Sequence, residues 1–254
     1  MLESPASRKS MRRFLILSFV ALLGCDAPSP SAENRLPKPN RVHKPARVTD
    51  GARAGVLNYR LLHTGGAQPD QRTSMIVAMH GLGDRPENFR NLFTDFPGKA
   101  RIVLLEAPDR YGSGFSWFPI RVRERAPEKL TPGLRSAAMK VSQAINVLLK
   151  RHPTKGKPVV TGFSQGGMLS FAIAIVHGDQ ITGAVPLAGW LPKPMWPVAK
   201  PTFSVPIVAL HGAEDRLLPL SETKRGVQAL KALGVHVTLV EYPGVGHHLP
   251  PRCA

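Results

Sequence analysis

The chain has 254 residues and a formal net charge of +17, with 34 lysines and arginines against 17 aspartates and glutamates. Its 43% hydrophobic and 20% charged residues exclude a mainly disordered protein, and the length fits one α/β domain with an appended segment. Two cysteines exclude a disulfide scaffold and a four-cysteine zinc site, and the histidines lack metal-ligand spacing, so we expect neither a metal nor a cofactor.

The basic residues are dispersed along the chain. Ten of the 34 lie within the first 53 residues, and the others mostly stand singly. The sequence lacks a basic helix with interleaved aromatic residues, which is the pattern that follows a phosphate backbone. We therefore expect no nucleic-acid partner and interpret the charge as a basic surface that suits proximity to anionic lipid.

The N-terminal residues have the composition of an export signal. The apolar run at 14–23 is too short for a helix that spans a bilayer, and basic residues before such a run are typical of a signal peptide. A start at either Met1 or Met11 gives a complete signal. The basic residues are Arg8, Lys9, Arg12 and Arg13.

Residues 22–25 read LLGC, which resembles the lipobox of bacterial lipoproteins. The resemblance implies a signal peptide over residues 1–25, a lipid anchor on Cys25, and attachment to a membrane of the bacterial cell envelope. Cleavage near Gly24 followed by ordinary secretion, to the periplasm or outside the cell, is the alternative.

Residues 26–53 are predicted to form a disordered tether before a folded domain at 54–254. The segment mixes prolines with polar and basic residues and lacks apolar periodicity at either 2 or 3.6 residues. Such a spacer would hold a lipid-anchored domain clear of the membrane surface. The prolines are Pro28, Pro30, Pro37, Pro39 and Pro45.

From residue 56 onward, mostly apolar runs alternate with helical patterns. Runs of this kind are typical of strands buried on both faces of a sheet. Thr131 and Pro132 are the predicted N-cap and first turn of one helix, and further helices are predicted at 168–176 and 221–234. The alternation predicts an α/β fold with a mostly parallel sheet and helices on both faces. The predicted strands are 74–80, 101–107, 158–162, 181–189, 205–212 and 237–242.

Residues 162–167 read GFSQGG and lie between a predicted strand and a predicted helix. The pattern G-x-S-x-G in this context is typical of a nucleophile elbow, in which small residues flank a strained serine. Ser164 is therefore the candidate nucleophile. Because so short a pattern also occurs by chance, its predicted partners decide the interpretation.

A serine hydroxyl becomes a good nucleophile when a histidine accepts its proton and a carboxylate orients that histidine. Asp215 and His247 each follow a predicted strand, at the sheet edge where Ser164 is also expected. A turn or helix-capping role is the structural alternative for Asp215. Glu214 is the alternative acid, and His248 is interpreted as a surface or pocket-wall residue.

A tetrahedral intermediate also needs backbone donors for its oxyanion. One candidate donor is the amide of Gln165, directly after the nucleophile. The second is expected in residues 79–84, which read MHGLGD and follow an early predicted strand. A glycine turn with a core histidine is the structural alternative for this segment.

Six motifs together resemble the phospholipase/carboxylesterase family of α/β-hydrolases, which includes bacterial carboxylesterases and acyl-protein thioesterases. The resemblance covers about residues 56–250 and implies the α/β-hydrolase fold, with Ser164 as nucleophile, Asp215 as acid and His247 as base. It also implies an oxyanion hole formed by the amides of Leu82 and Gln165. The motifs are MHGLGD at 79–84, SWF at 116–118, GFSQGG at 162–167, AGWLP at 188–192, HGAEDRLLP at 211–219 and YPGVGH at 242–247.

The sequence therefore predicts a serine hydrolase without a large lid, which cleaves small-molecule esters of short or medium acyl chains through an acyl-enzyme. Trp117, Phe118 and Trp190 are predicted to line the acyl pocket, and packing of irregular loops is their alternative role. Hydrolysis of acyl thioesters or lysophospholipids by the same residues is the alternative activity. A non-catalytic, lipid-anchored binding protein is the alternative from another class.

Overall fold

The computed structural model describes residues 47–119 and 126–249, with side chains from residue 51 onward. The predicted signal peptide, Cys25 and the predicted tether up to residue 46 lie outside the described residues. Within the described ranges, no helix has both the length and the apolarity needed to cross a membrane.

Ten strands and four α-helices make up the described fold, together with short 3₁₀ turns. The strands are β1 (Arg47–Ala54), β2 (Leu57–Thr64), β3 (Ser74–Met79), β4 (Ala100–Leu105), β5 (Asp109–Tyr111), β6 (Gly114–Ser116), β7 (Val159–Phe163), β8 (Gly183–Leu187), β9 (Ile207–Gly212) and β10 (Val237–Tyr242). The helices are α1 (Pro86–Phe89), α2 (Pro127–Arg151), α3 (Gln165–Val176) and α4 (Leu220–Ala232).

Eight of the strands form one sheet in the order β1-β2-β4-β3-β7-β8-β9-β10. The six strands from β4 to β10 across the sheet run parallel, whereas β1 and β2 pair antiparallel. Strands β5 and β6 form a separate hairpin between β4 and α2. The predicted fold is confirmed, and the described residues contain no large lid inserted between the strands.

The continuous apolar runs arise because both faces of the sheet are buried. Met75, Val77 and Met79 of β3 pack in a cluster with α2, α3 and α4. Ile76 and Ala78 point to the opposite face, as alternate residues of a strand must, and belong to a second cluster with Phe89 of α1 and other residues. The predicted strand bounds differ from the observed ones by at most two residues.

The predicted start of helix α2 is wrong. The helix begins at Pro127, where a missing N–H costs no intrahelical hydrogen bond, and Pro132 lies inside it. Thr131 is buried, and its hydroxyl donates to the Pro127 carbonyl at 2.8 Å. Two prolines five residues apart can each occupy a first turn, and the sequence pattern alone does not distinguish Pro127 from Pro132.

The predicted boundary between tether and domain is also corrected. Residues 47–53 belong to strand β1, which pairs with β2 and carries a register shift between Thr49 and Ala52. This strand lies at the edge of the sheet and has one neighbour. Because an edge strand is not enclosed on both sides, it does not need the apolar run that reveals the inner strands.

Candidate active site

Ser164 lies at the turn between β7 and α3, with φ 56° and ψ −112°. A positive φ is uncommon for a residue other than glycine and stores backbone strain. Gly162 and Gly166, two residues before and after Ser164, must be glycines because backbone atoms of Met79 lie too close for a side chain. A Cβ on Gly162 would lie 2.6 Å from the Met79 carbonyl oxygen, and one on Gly166 would lie 2.7 Å from the Met79 carbonyl carbon. The G-x-S-x-G pattern therefore reflects the packing of this turn against the end of β3.

The structure brings Ser164, His247 and Asp215 into one hydrogen-bonded chain. Nε2 of His247 lies 2.9 Å from Oγ of Ser164, and its Nδ1 lies 2.6 Å from Oδ2 of Asp215. Because a carboxylate can only accept, Nδ1 of His247 carries the hydrogen. In the neutral imidazole, Nε2 is then free to accept the serine proton. This is the geometry that general-base activation of a serine requires.

Asp215 is held from several directions. Its side chain is buried, and Oδ1 accepts the backbone N–H groups of Leu217 at 2.9 Å and Leu218 at 2.8 Å. The neighbouring Glu214 is exposed, and its backbone N–H donates to the Val245 carbonyl at 2.9 Å. The structure thus places Asp215 rather than Glu214 against the histidine, and the loop that carries the acid is bonded to the loop before His247.

The segment that includes Leu82 passes beside the nucleophile. A Cβ on Gly81 would lie 3.6 Å from Cβ of Ser164, and the Gly83 N–H donates to the Phe115 carbonyl of β6 at 2.9 Å. Gln165 is the first residue of α3, so its backbone N–H has no partner within the helix. The two amides predicted to form the oxyanion hole therefore belong to a segment that passes beside Ser164 and to the residue that follows Ser164.

A buried histidine supports this segment. His80 is completely buried, its Nδ1 lies 2.7 Å from the Gly81 carbonyl, and its Nε2 lies 3.2 Å from the Ala107 N–H. Nε2 therefore accepts and Nδ1 donates, which describes a neutral ring. Burial lowers the pKa of His80 below the usual range of an imidazole. The neutral ring stabilises the turn that leads to Leu82.

The three aromatic residues predicted to line the acyl pocket lie in the hydrophobic core. Trp117, Phe118 and Trp190 are at most 7% exposed. The indole N–H of Trp117 donates to the His80 carbonyl at 2.9 Å. This placement agrees with their alternative role in packing irregular loops. The position of an acyl pocket stays a prediction.

Two contacts near the site had no counterpart in the sequence analysis. The side chain of Gln165 accepts the Trp117 N–H at 3.0 Å and donates to the Phe118 carbonyl at 2.8 Å. His211 lies within 3.2 Å of the Asp215 carboxylate. The spacing of four residues gave no signal for the second contact, because His211 lies in strand β9 and Asp215 in the turn after it. Among residues 51–119 and 126–249, no group of three or more His, Cys, Asp or Glu side chains is arranged to hold a metal ion.

A family model described as Phospholipase/Carboxylesterase matches residues 66–253 of the chain. The chain belongs to this family. It is therefore a hydrolase, and the matched region includes Ser164, Asp215 and His247. The family predicted from the six motifs is confirmed, whereas export and lipid attachment at Cys25 stay predictions.

Individual members of the phospholipase/carboxylesterase family are distant but span the same domain. Acyl-protein thioesterase 1 of Gibberella zeae is 27% identical over 203 residues, which cover 72% of this chain and 86% of that protein. Carboxylesterase SOBER1 of Arabidopsis thaliana is 25% identical over 194 residues, which cover 69% of this chain and 84% of that protein. The crystal structure of Zea mays acyl-protein thioesterase 2 superposes with a TM-score of 0.60 at 27% sequence identity. The match covers 76% of this chain and 92% of the Zea mays chain.

Proposed function

We propose that the protein is a serine esterase that cleaves carboxylic esters of short or medium acyl chains through an acyl-enzyme intermediate. The observation that carries the proposal is the hydrogen-bonded chain from Ser164 through His247 to Asp215, with distances of 2.9 and 2.6 Å. Family membership supports the hydrolase class, and relatives named carboxylesterase and acyl-protein thioesterase support an ester or thioester substrate.

In the proposed reaction, Oγ of Ser164 attacks the acyl carbon while Nε2 of His247 takes the hydroxyl proton. Asp215 keeps Nδ1–H of the histidine in place and stabilises the imidazolium that forms. The backbone N–H groups of Leu82 and Gln165 bind the oxyanion of the tetrahedral intermediate. The intermediate expels the alcohol, which receives its proton from His247. A water molecule, activated by the same histidine, then releases the acid and restores the serine.

The preference for short or medium chains rests on the openness of the proposed site. Within the described residues, the segments between β7, β9 and β10 contain the helices α3 and α4, the strand β8 and short 3₁₀ turns, and no additional helical lid. Complete burial of one methylene group contributes about 0.8 kcal/mol to binding. An open site leaves a long hydrocarbon chain partly in contact with water, so each additional methylene contributes less than this value. A long chain presented by a larger carrier would be the exception.

Thioester hydrolysis is the second candidate function. It is favoured by the similarity to acyl-protein thioesterase 1 of Gibberella zeae, 86% of which is covered, and to the Zea mays enzyme, 92% of which is covered. The same nucleophile, base and oxyanion donors would serve, with a thiol as leaving group. Hydrolysis of lysophospholipids would use the same steps with an alcohol leaving group.

The test is hydrolysis of p-nitrophenyl esters from acetate to palmitate by the purified full-length protein, beside the variant Ser164→Ala. Ser221→Ala is the matched control, because Ser221 is exposed on α4. We expect Ser164→Ala to lose at least about 10³-fold in kcat and Ser221→Ala to keep the wild-type rate. Equal rates for Ser164→Ala and wild type would refute the serine mechanism.

Two further outcomes separate the alternatives. A wild-type protein that is inert on every ester but hydrolyses an acyl thioester, with loss of that rate in Ser164→Ala, would establish the thioesterase function instead. A wild-type protein that hydrolyses neither esters nor acyl thioesters and is not labelled by a fluorophosphonate would instead be a non-catalytic binding protein.

Export is a separate proposal that rests on residues 1–25. We propose that Cys25 carries a lipid and attaches the protein to a membrane of the cell envelope. Replacing Cys25 by alanine should move the exported protein from the membrane fraction to the soluble fraction. Secretion with cleavage near Gly24 predicts instead that the wild type and the variant both remain soluble.

A further inference from the structure

A second histidine contacts the carboxylate of Asp215. His211 lies in β9, and its side chain is fully buried. Its Nε2 lies 3.2 Å from Oδ2 of Asp215, the same oxygen that is 2.6 Å from His247. Nε2 of His211 also lies 2.8 Å from the Leu218 carbonyl. Both neighbours of this nitrogen are acceptors when the carboxylate is ionised, so Nε2 carries a hydrogen, which it donates to the Leu218 carbonyl beside the carboxylate.

The ring of His211 is fixed at its other nitrogen as well. Nδ1 lies 3.1 Å from Oγ1 of Thr223, a buried residue of α4. The Thr223 hydroxyl also lies 2.9 Å from the Gly189 carbonyl. Rotation of the imidazole would break the hydrogen bond from Nε2 to the Leu218 carbonyl in a place that water does not reach. His211 therefore connects helix α4 to the loop that carries Asp215.

The carboxylate has two N–H donors on one oxygen and the two imidazoles beside the other. Oδ1 accepts the N–H groups of Leu217 and Leu218, whereas Oδ2 is hydrogen-bonded to His247 and lies 3.2 Å from Nε2 of His211. Leu218 joins the two residues, because its N–H donates to Oδ1 of Asp215 and its carbonyl accepts from Nε2 of His211. Rotation of the carboxylate away from His247 would break several of these bonds together. The two histidines differ in their other contacts, because His247 also contacts Ser164, whereas His211 contacts Leu218 and Thr223.

We propose that His211 is a positioning residue of the catalytic site, which holds the Asp215 carboxylate in the orientation that His247 needs. The inference rests on the proposed serine-hydrolase function. The Nε2–H group, 3.2 Å from Oδ2, also stabilises part of the negative charge that Asp215 presents to His247. Without that donor, His247 would hold a proton more strongly, and the acid limb of the pH–rate profile would move to higher pH.

The test compares His211→Leu with His211→Gln in the full-length protein, on an ester that the wild type hydrolyses. Leucine fills similar space without a donor, and glutamine keeps an N–H near the position of Nε2. We expect His211→Leu to lose about tenfold in kcat, the size set by one buried hydrogen bond to a carbonyl. KM should stay near the wild-type value and the acid limb should move to higher pH. His211→Gln should keep kcat within about threefold and leave the acid limb in place.

A folded His211→Leu protein with the wild-type kcat and pH profile would overturn the inference. Equal losses in the leucine and glutamine variants would also overturn it, because the donor would then have no part in the effect. If His211→Leu does not fold, Thr223→Val replaces it. That variant removes the hydroxyl beside Nδ1, and we expect a smaller loss of kcat with the same direction of shift in the acid limb. An unchanged kcat and profile in Thr223→Val would count against the inference.

The variant Ser164→Ala, measured in parallel, separates this inference from the function on which it rests. If Ser164→Ala is inactive while the His211 variants match the wild type, the esterase function stands and the positioning role is refuted. If Ser164→Ala equals the wild type, the serine mechanism is refuted, and the positioning role is refuted with it.

Discussion

The side chain of Gln165 offers a direct test of the packing behind the nucleophile. Gln165, Trp117 and Phe118 are each at most 2% exposed, and the amide of Gln165 bonds the backbone of the other two. The substitution Gln165→Met keeps a similar length and removes both polar groups. The Trp117 N–H then loses its acceptor. The Phe118 carbonyl keeps the Ser116 hydroxyl at 2.8 Å and loses one of two donors.

The expected loss of stability follows from these two changes. A buried N–H without an acceptor costs about 1–3 kcal/mol, and the loss of one of two hydrogen bonds to a carbonyl costs about 0.5–1.5 kcal/mol. The extra apolar surface of methionine offsets part of this. We expect the free energy of unfolding to fall by about 1–4 kcal/mol. For a domain of this size, that loss corresponds to a fall in Tm of about 3–12 °C.

The assay is urea and thermal unfolding of the full-length protein, followed by tryptophan fluorescence. Gln228→Met is the matched control, because Gln228 is exposed on α4 and glutamine and methionine have similar helix propensity. We expect that control to unfold like the wild type. A Tm for Gln165→Met within about 2 °C of the control would refute the reasoning, since it would mean that the buried amide bonds contribute no net stability.

Three other predictions concern activity and pH. Asp215→Asn should keep the fold and lower kcat by about 10⁴-fold, because an amide favours the wrong histidine tautomer; a nearly silent change would point to Glu214. Gly166→Ala should lower kcat by about 10²-fold, since its Cβ forces the elbow away from β3, while Gly226→Ala, with its nearest contact at 3.6 Å, should be active. Burial and nearby arginines lower the pKa of His152 to about 4, below the unfolded value of about 6.5. The unfolded chain therefore binds the proton first, and stability falls as pH drops from about 6.5 towards 4; the Tm of His152→Gln should fall less over this range.

The sequence predicted the parts of the fold whose residues are constrained locally. Inner strands had continuous apolar runs because both faces of the sheet are buried. The glycines at 162 and 166 marked the elbow because a side chain at either position would collide with the backbone at the end of β3. Asp215 and His247 could be placed near Ser164 because each follows a parallel strand, and such strands end at one edge of the sheet. Their catalytic roles stay predictions until the variants are measured.

The features that the sequence did not predict depend on contacts between distant parts of the chain. The side-chain amide of Gln165 is hydrogen-bonded to Trp117 and Phe118, which lie 48 and 47 positions before it in the sequence. No local sequence pattern specifies contacts over such a separation. Thr223 meets His211 only because α4 packs beside the end of β9. Strand β1 has an edge position and few apolar residues, so its composition matched that of a tether. In each case the deciding partner is supplied by the tertiary structure.

The direction of β1 determines which side of the domain faces a support to which the protein is attached. Arg47 pairs with His63, whose neighbour Thr64 pairs with Ala100 at the start of β4. Strand β1 therefore begins at the edge of the sheet where the parallel strands start. Ser164 lies at the opposite edge, about 20 Å away, which is the length of a six-residue strand. His247, in contrast, lies two residues before the last described residue, Leu249. Immobilisation through a short linker before residue 47 would leave the nucleophile facing the bulk solution. Immobilisation through the C-terminus would bring the support close to His247 and, if the proposed function holds, hinder large substrates.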